Sequence, residues 1–539
     1  MSNALRILGG KVYDPTNGID GQVRDILIHD GRIVSALPPN VSAKTIHANG
    51  LVVMPGGVDV HCHIASASIN RARALQGEEH ASHVHFANPK HNLRGGTGVL
   101  TPSTFVTGYR YAALGYTAAI EAAVAPSGAR QTHLELHDTP NIDAGFLLLV
   151  ANHAKVIDLI DRGDEAGVTA FIGELIRRTG AYGIKVVNPG GVASWRHDAK
   201  HHTIESLDDA VAGTTVTPRR ILQAMATAAE QLKLPHPPHI HCNRLGVPGN
   251  VETTLETLRT LDGRRAHLTH LQFHAYGRTK KGNFTSAAHQ LCDYLNDHPN
   301  ITADVGQVVF GDALTLSADT PLEYTLWQLT GQKYVSIETE LETGCGMLPI
   351  RYSDKQYLHS LQWAIGLELM LACNDPWRML LSTDHPNGGS FLSYPTIIAA
   401  LMSKAVRDEQ MNKAHPRALK HSRLKDLTRE MTLSDIAIIT RAGPARVLGL
   451  KNKGHLAPGA DADITLYHDN PGDPRMMFES PRYVIKAGQV IIEDAELRTP
   501  VRCERLSTPI EASDRGAHAL KEWFDTKGSY SVNQLGITR

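Results

Sequence analysis

Short apolar runs, each closed by a polar or glycine-rich stretch, recur through the middle of the chain and alternate with segments of helical periodicity. Eight runs predict strands: LVVMPGGVDVHCH (51–63), YTAAIEA (116–122), GFLLLVA (145–151), YGIKVV (182–187), HIHCN (239–243), AHLTHLQ (266–272), ITADVGQ (301–307) and RMLLSTD (378–384). Between them, segments such as VIDLIDRGDEAGVTAFIGELIRRTG and PRRILQAMATAAEQLKL predict helices. Strands alternating with helices imply βα units on a parallel sheet, and eight such units close naturally as a TIM-type (β/α)8 barrel, an α/β fold. Residues 308–377, between the seventh and eighth strands, are too many for a structureless loop and predict a folded insertion over the barrel mouth.

The two ends read differently. ALRILGGKVYDP, DILIHDGRIVSAL and KTIHANGLVV near the start, and GHLAPGADADITLYHD and SPRYVIKAGQVIIED near the end, are β-type runs separated by Gly and Asp-Gly turns. We expect residues 1–50 and 454–505 to combine into one β-sandwich, with a barrel domain at 51–453 and a tail at 506–539.

Composition narrows the function classes. The chain is 42% hydrophobic and 20% charged, with a formal net charge of −1, which speaks for an ordinary globular protein and against nucleic acid or an anionic membrane as partner. MSNALRILGG lacks the features of a secretory leader, and the apolar run 146–151 is too short to span a bilayer. Cys62, Cys242, Cys292, Cys345, Cys373 and Cys503 show no paired spacing, which predicts a reducing, cytoplasmic setting. The basic stretch 404–429 predicts a solvated helical face with internal ion pairs, the alternative being a docking surface for an acidic tail or another protein of the same assembly.

The 29 histidines gather beside glycines and carboxylates. His61 and His63 are two apart on a strand, so both rings face the same side while Cys62 faces the other. In a barrel that side is the interior, near the C-terminal mouth where active sites are built. His239-Ile240-His241 closes the fifth strand, His267-Leu268-Thr269-His270 the sixth, and Asp384 the eighth. Imidazoles with a carboxylate suit zinc, and a two-metal site has room for a bridging hydroxide. Lys185 stands inside the fourth apolar run, where a buried ammonium is costly unless something compensates it.

PGGVDVHCHI, GIKVVNPGG, HIHCN, HLTHLQFHAYG and STDHPNGG together resemble the amidohydrolase superfamily. Within it the chain is similar, over essentially its whole length, to the family of A-type subunits found in formylmethanofuran dehydrogenase and in the formyltransferase/hydrolase complex. The resemblance implies hydrolysis, reversibly, of an N-formylmethanofuran-type amide to formate at a binuclear zinc site, with the other subunits of such a complex as partners. It implies His61 and His63 on one metal and His241 and His270 on the other, with His267 the rival of His270. It also implies a carboxylated Lys185 bridging the two and Asp384 as ligand and proton shuttle. Asn243, His274, His385 and Asn387 are candidates for supporting or substrate contacts, and His239 for a core histidine. The alternatives are a dehydrogenase assembly in which another component carries molybdenum or tungsten, a cyclic amidohydrolase of the dihydroorotase or hydantoinase kind, and a metal-free scaffold.

Overall fold

A computed structural model describes residues 4–536 apart from 89–92, 198–203, 262, 340–342, 502 and 529. Eight parallel strands form one sheet in chain order: Gly57–Cys62, Tyr116–Val124, Asp143–Leu149, Gly183–Val187, His239–His241, Ala266–Leu268, Ile301–Asp304 and Met379–Leu380. The ring is closed where His63 N–H donates to the His385 carbonyl at 2.7 Å. The TIM-type barrel expected from the alternation is therefore present.

Register fixes the layers inside it. Lys185, His239, His267 and Thr302 are successive partners on strands four to seven, and partners on parallel strands point to the same side. Two residues further along, Val187 and His241 are partners in the next layer toward the mouth. The alternate residues Ile184, Val186, Ile240 and Leu268 are buried in the hydrophobic layer outside the barrel wall.

The apolar run 51–63, read as one strand, is two. Leu51–Pro55 lies between Ala4–Asp14 and Ile464–His468 in the terminal sheet, and the barrel strand begins at Gly57. The cause is local crowding: a Cβ on Gly56 would stand 2.3 Å from Thr117 Oγ1, and one on Gly57 2.6 Å from the Tyr116 ring. Two glycines let the chain cross from one sheet to the other against the second barrel strand.

Both chain ends contribute to one mixed nine-stranded sheet. Its core joins Ile7, Ile28 and Val53 from the first part of the chain to Ile464, Leu466 and Ile485 from the last. The layers expected of a sandwich are connected here as a single hydrogen-bonded ladder. A buried ionic cluster fastens this sheet to the barrel: Lys486 Nζ lies 2.6 Å from Asp143 on the third barrel strand and 2.8 Å from Asp463. Lys453 Nζ joins Asp461 at 2.8 Å and Asp463 at 2.9 Å. Burying these charges is tolerable because each ammonium faces more than one carboxylate.

Between the seventh and eighth barrel strands, Gly311–Ser317, Val335–Thr339 and Thr343–Tyr352 form an antiparallel sheet. A helix, Thr320–Thr330, packs on it, and helix Tyr357–Ala372 leads back to the barrel. In the basic stretch, Lys404 pairs with Asp408 at 2.6 Å and Lys413 with Glu409 at 2.8 Å. Its Arg407 is buried and donates to the carbonyls of Ala400, Leu427 and Arg429. Among the described residues no helix is long and apolar enough to cross a membrane.

Candidate metal centre

Strand ends one and eight meet at the mouth. His61 Nε2 lies 2.9 Å and His63 Nε2 3.3 Å from Asp384 Oδ1, all three residues being buried. Yet Asp384 Oδ1 makes no hydrogen bond of acceptable geometry. Two ring nitrogens and a carboxylate oxygen that converge without pairing are arranged as ligands are, around a common point. Burial would raise the Asp384 carboxyl, but its interactions with the surrounding rings of His61, His270 and His63 hold it well below the usual carboxylate range.

Behind the rings stand carboxylates. His61 Nδ1 is 3.2 Å from Asp304 Oδ2, His63 Nδ1 is 3.0 Å from Glu121 Oε1, and His241 Nε2 is 3.3 Å from Asp319 Oδ2. Asp304 also accepts from the Ser382 hydroxyl and from His270 N–H, while Glu121 Oε2 accepts from Ile64 and Ala65 N–H at 2.6 and 2.9 Å. A carboxylate behind a ligating imidazole sets its tautomer and its aim. Burial disfavours a charged His63, but the carboxylates of Asp384 and Glu121 beside its two ring nitrogens outweigh it and lift its pKa to about 9.

The strand ends hold strained backbone. His270 has φ +35° and Asp384 φ +49°, the left-handed region that L-residues rarely occupy, at about 1–3 kcal/mol each. Gly306 makes room for the first of them, since a Cβ there would stand 2.3 Å from His270 Cβ.

Lys185 rises from the layer below. Its Nζ donates to Thr269 Oγ1 at 3.3 Å, and among the described residues no carboxylate lies within ion-pair distance of it. Burial pulls the amine down to about 8, with Asp384 and Asp304 opposing the shift. Lys185, His61, His63, His241, His270 and Asp384 line one cavity of about 140 Å3, beside Leu316, Leu322, Leu326, Ile350 and Phe273.

The remaining candidates fall in different places. His267 does not line this cavity; it bonds Asp304 at 3.2 Å and Thr302 at 2.9 Å. His239, its register partner in the same layer, lies between His236 at 2.9 Å and His61 at 3.1 Å. Asn243 Nδ2 donates to Asn188 Oδ1 at 2.8 Å, and Asn188 in turn donates to Asp319 Oδ1 at 2.9 Å. His274 packs its ring 5.3 Å from that of His241 and 5.4 Å from that of His270. His385 is buried edge-on to Phe391. Asn387 clamps the insertion, accepting from Leu316 N–H at 2.7 Å and donating to its carbonyl at 3.2 Å.

The donor set fits a metal. His270 Nδ1, both nitrogens of His274 and Asp384 Oδ1 are buried without hydrogen-bond partners, and burial keeps His270 and His274 neutral, as ligation requires. A further trio of carboxylates, Asp143, Asp461 and Asp463, is already filled by the ammoniums of Lys453 and Lys486.

Sequence patterning does not single out Glu121, Asp304 or Asp319. Asp304 ends strand seven and Glu121 stands near the end of strand two, so their place at the mouth carried a signal; Asp319, in the insertion, carried none beyond its position before a Thr-Pro helix start.

FwdA of Methanocaldococcus jannaschii is 43% identical over 550 residues, covering 98% of this chain and 95% of that one. The A-type subunit of the formyltransferase/hydrolase complex Fhc of Methylorubrum extorquens is 38% identical over 525 residues, covering 96% and 93%. The crystal structure of that organism's complex with methylofuran matches with a TM-score of 0.93 at 37% identity, over 99% of this chain and 96% of that one. The amidohydrolase family model matches residues 44–492, and the chain belongs to the amidohydrolase family.

Proposed function

We propose that this protein hydrolyses, reversibly, an N-formyl amide of the methanofuran type to formate and the free amine, as the A-type subunit of a formyltransferase/hydrolase complex. The observation that carries the reading is the full-length likeness to the Methylorubrum protein combined with a histidine–aspartate cluster that opens onto an apolar cavity. His61 and His63 with Asp384 would hold one zinc ion, and His241 with His270 the other. Bound there, zinc supplies Lewis acidity and a water made acidic enough to attack at neutral pH.

Lys185 joins the two halves in this reading. The neutral amine adds CO2 to give a carbamate and a proton, turning a buried cation into a two-oxygen anion. Its burial, its lowered pKa and the absence, among the described residues, of a carboxylate within ion-pair distance support that assignment. Asp384 receives the proton of the attacking water at Oδ1 and returns it to the amine nitrogen as the C–N bond breaks. The carboxylates of Asp304, Glu121 and Asp319 keep the rings of His61, His63 and His241 in place throughout.

The test is hydrolysis of formylated methylofuran by the purified complex, read as formate release, with metal analysis of the same sample. Formate release with about two zinc ions per chain is expected; no release, or fewer than one zinc per chain, refutes the reading. A second reading keeps the reaction and changes the assembly, to a formylmethanofuran dehydrogenase in which another component carries molybdenum or tungsten. The higher identity to FwdA, 43% against 38%, favours keeping it. Molybdenum or tungsten in the copurified complex would decide for it.

A further inference from the structure

The wall of the cavity facing the insertion is made of Leu316, Leu322, Leu326 and Ile350, and one carboxyl group stands among them. Glu323, in helix Thr320–Thr330, is 1% exposed. Its stem is fixed from behind, since a Cβ on Gly346 would stand 2.3 Å from Glu323 Cβ. Its Oε2 is 2.7 Å from Thr315 Oγ1, and that hydroxyl is also 3.1 Å from the Leu348 carbonyl.

A hydroxyl has one hydrogen to give. An ionised Glu323 would be a buried anion in an apolar wall, with Asp319 and Asp384 as like charges, an arrangement of high cost. Burial and those two carboxylates accordingly push the Glu323 carboxyl well above its usual range. As a neutral acid it satisfies every group: Glu323 donates to Thr315, and Thr315 donates to Leu348. That leaves Oε1, a carbonyl-type acceptor, for the cavity.

A secondary formamide carries one C=O acceptor and one N–H donor. With the carbonyl toward the histidine cluster, the N–H needs an acceptor in a wall that is otherwise mostly apolar. Of the other polar groups there, Asn387 is committed to Leu316 and Tyr352 donates to the Asn387 carbonyl, whereas Gln362, whose amide N–H donates to Tyr276, keeps an unpartnered Oε1 as the rival acceptor that the Gln362→Leu variant tests. Resting on the reading of the site as a formyl amide hydrolase, we infer that Glu323 is a specificity-determining residue. It accepts the substrate's amide N–H and so aims the formyl carbon at the cluster. The substrate class is thereby narrowed to formamides of primary amines; N-alkylated formamides lack the hydrogen.

The experiment compares N-formylfurfurylamine with its N-methyl analogue on the full-length, zinc-loaded protein, with wild type, Glu323→Gln, Glu323→Leu and Gln362→Leu. Gln at 323 keeps a donor for Thr315 and an acceptor for the cavity, so kcat/KM should stay within about threefold of wild type. Glu323→Leu should lose about tenfold on the secondary formamide, mostly in KM, and much less on the N-methyl compound. The ratio of the two kcat/KM values should thus fall about fivefold or more with zinc content unchanged. A merely structural role would lower both substrates together. Should Glu323→Leu fail to fold, Thr315→Val, which removes only the group that orients the carboxyl, carries the same comparison. An unchanged ratio, an equal loss in Glu323→Gln, or loss of discrimination in Gln362→Leu instead overturns the inference while leaving the hydrolase reading intact. Zinc-loaded wild type inert toward both substrates overturns the hydrolase reading and the inference with it.

Discussion

Lys185 and His239 are register partners on adjoining barrel strands, one interior layer below the partners Val187 and His241. The lysine therefore starts one layer deeper than His241 and reaches the cavity at the mouth along its four-carbon stem. Lys185→Ala should leave the barrel folded, because the change removes a buried charge, but it should strip the site of its bridge. We expect zinc content at half of wild type or less and formate release down by about 100-fold or more. A short added carboxylic acid should restore part of both. Wild-type zinc content in this variant would refute the bridge.

The Glu121–His63 pair makes a separate prediction. Glu121→Gln keeps the volume but loses the anion, and the amide cannot accept from Ile64 N–H, Ala65 N–H and His63 together. Zinc affinity, measured by chelator competition, should fall about 10- to 100-fold with the fold unchanged. An affinity equal to wild type would show that Glu121 serves only the backbone turn after the first strand.

Much of this architecture is legible in the sequence, and the reasons differ residue by residue. Strand ends such as His239-Ile240-His241 announce themselves because period-two patterning and imidazoles coincide there. The crossing at Gly56 is hidden, since the apolar run continues on both sides and only the neighbouring Thr117 and Tyr116 forbid a side chain. The carboxylates behind the histidines are hidden for another reason: Asp304 is 243 residues from His61 and Asp319 is 78 from His241, so only the closed barrel and its insertion bring them together. The depth of Lys185 follows from strand register, which apolar patterning alone leaves open to a slip.

Glu368 predicts a pH dependence of stability away from the site. It is buried, and burial raises its carboxyl to about 7 although Arg423 N–H donates to it at 2.7 Å. A carboxyl raised on folding is protonated more readily in the folded state, so its effect is absent at low pH. Stability then falls as pH climbs from the unfolded value near 4.5 through about 7. The shift corresponds to a cost of about 3 kcal/mol when fully developed. Glu368→Gln keeps the acceptor for Arg423 and removes the charge. Its Tm should exceed wild type at pH 8 and match it at pH 4.5; equal melting at both would mean Glu368 carries no such cost.

Asp384→Asn separates holding the metal from moving the proton. Asparagine retains a carbonyl oxygen where Asp384 Oδ1 meets His61 and His63, so a weakened ligand remains, and it tolerates the left-handed backbone at this position. It cannot take a proton from water and return it to an amine, because its amide is not basic at neutral pH. We expect at least one zinc retained per chain and formate release reduced by about 1,000-fold, within the range that a positioned general acid–base supplies. Raising zinc in the assay should recover little of that loss. Normal hydrolysis by Asp384→Asn would move the proton transfer to another group at the mouth, and among its neighbours His274, with two unpartnered ring nitrogens beside His241 and His270, would be the first to examine.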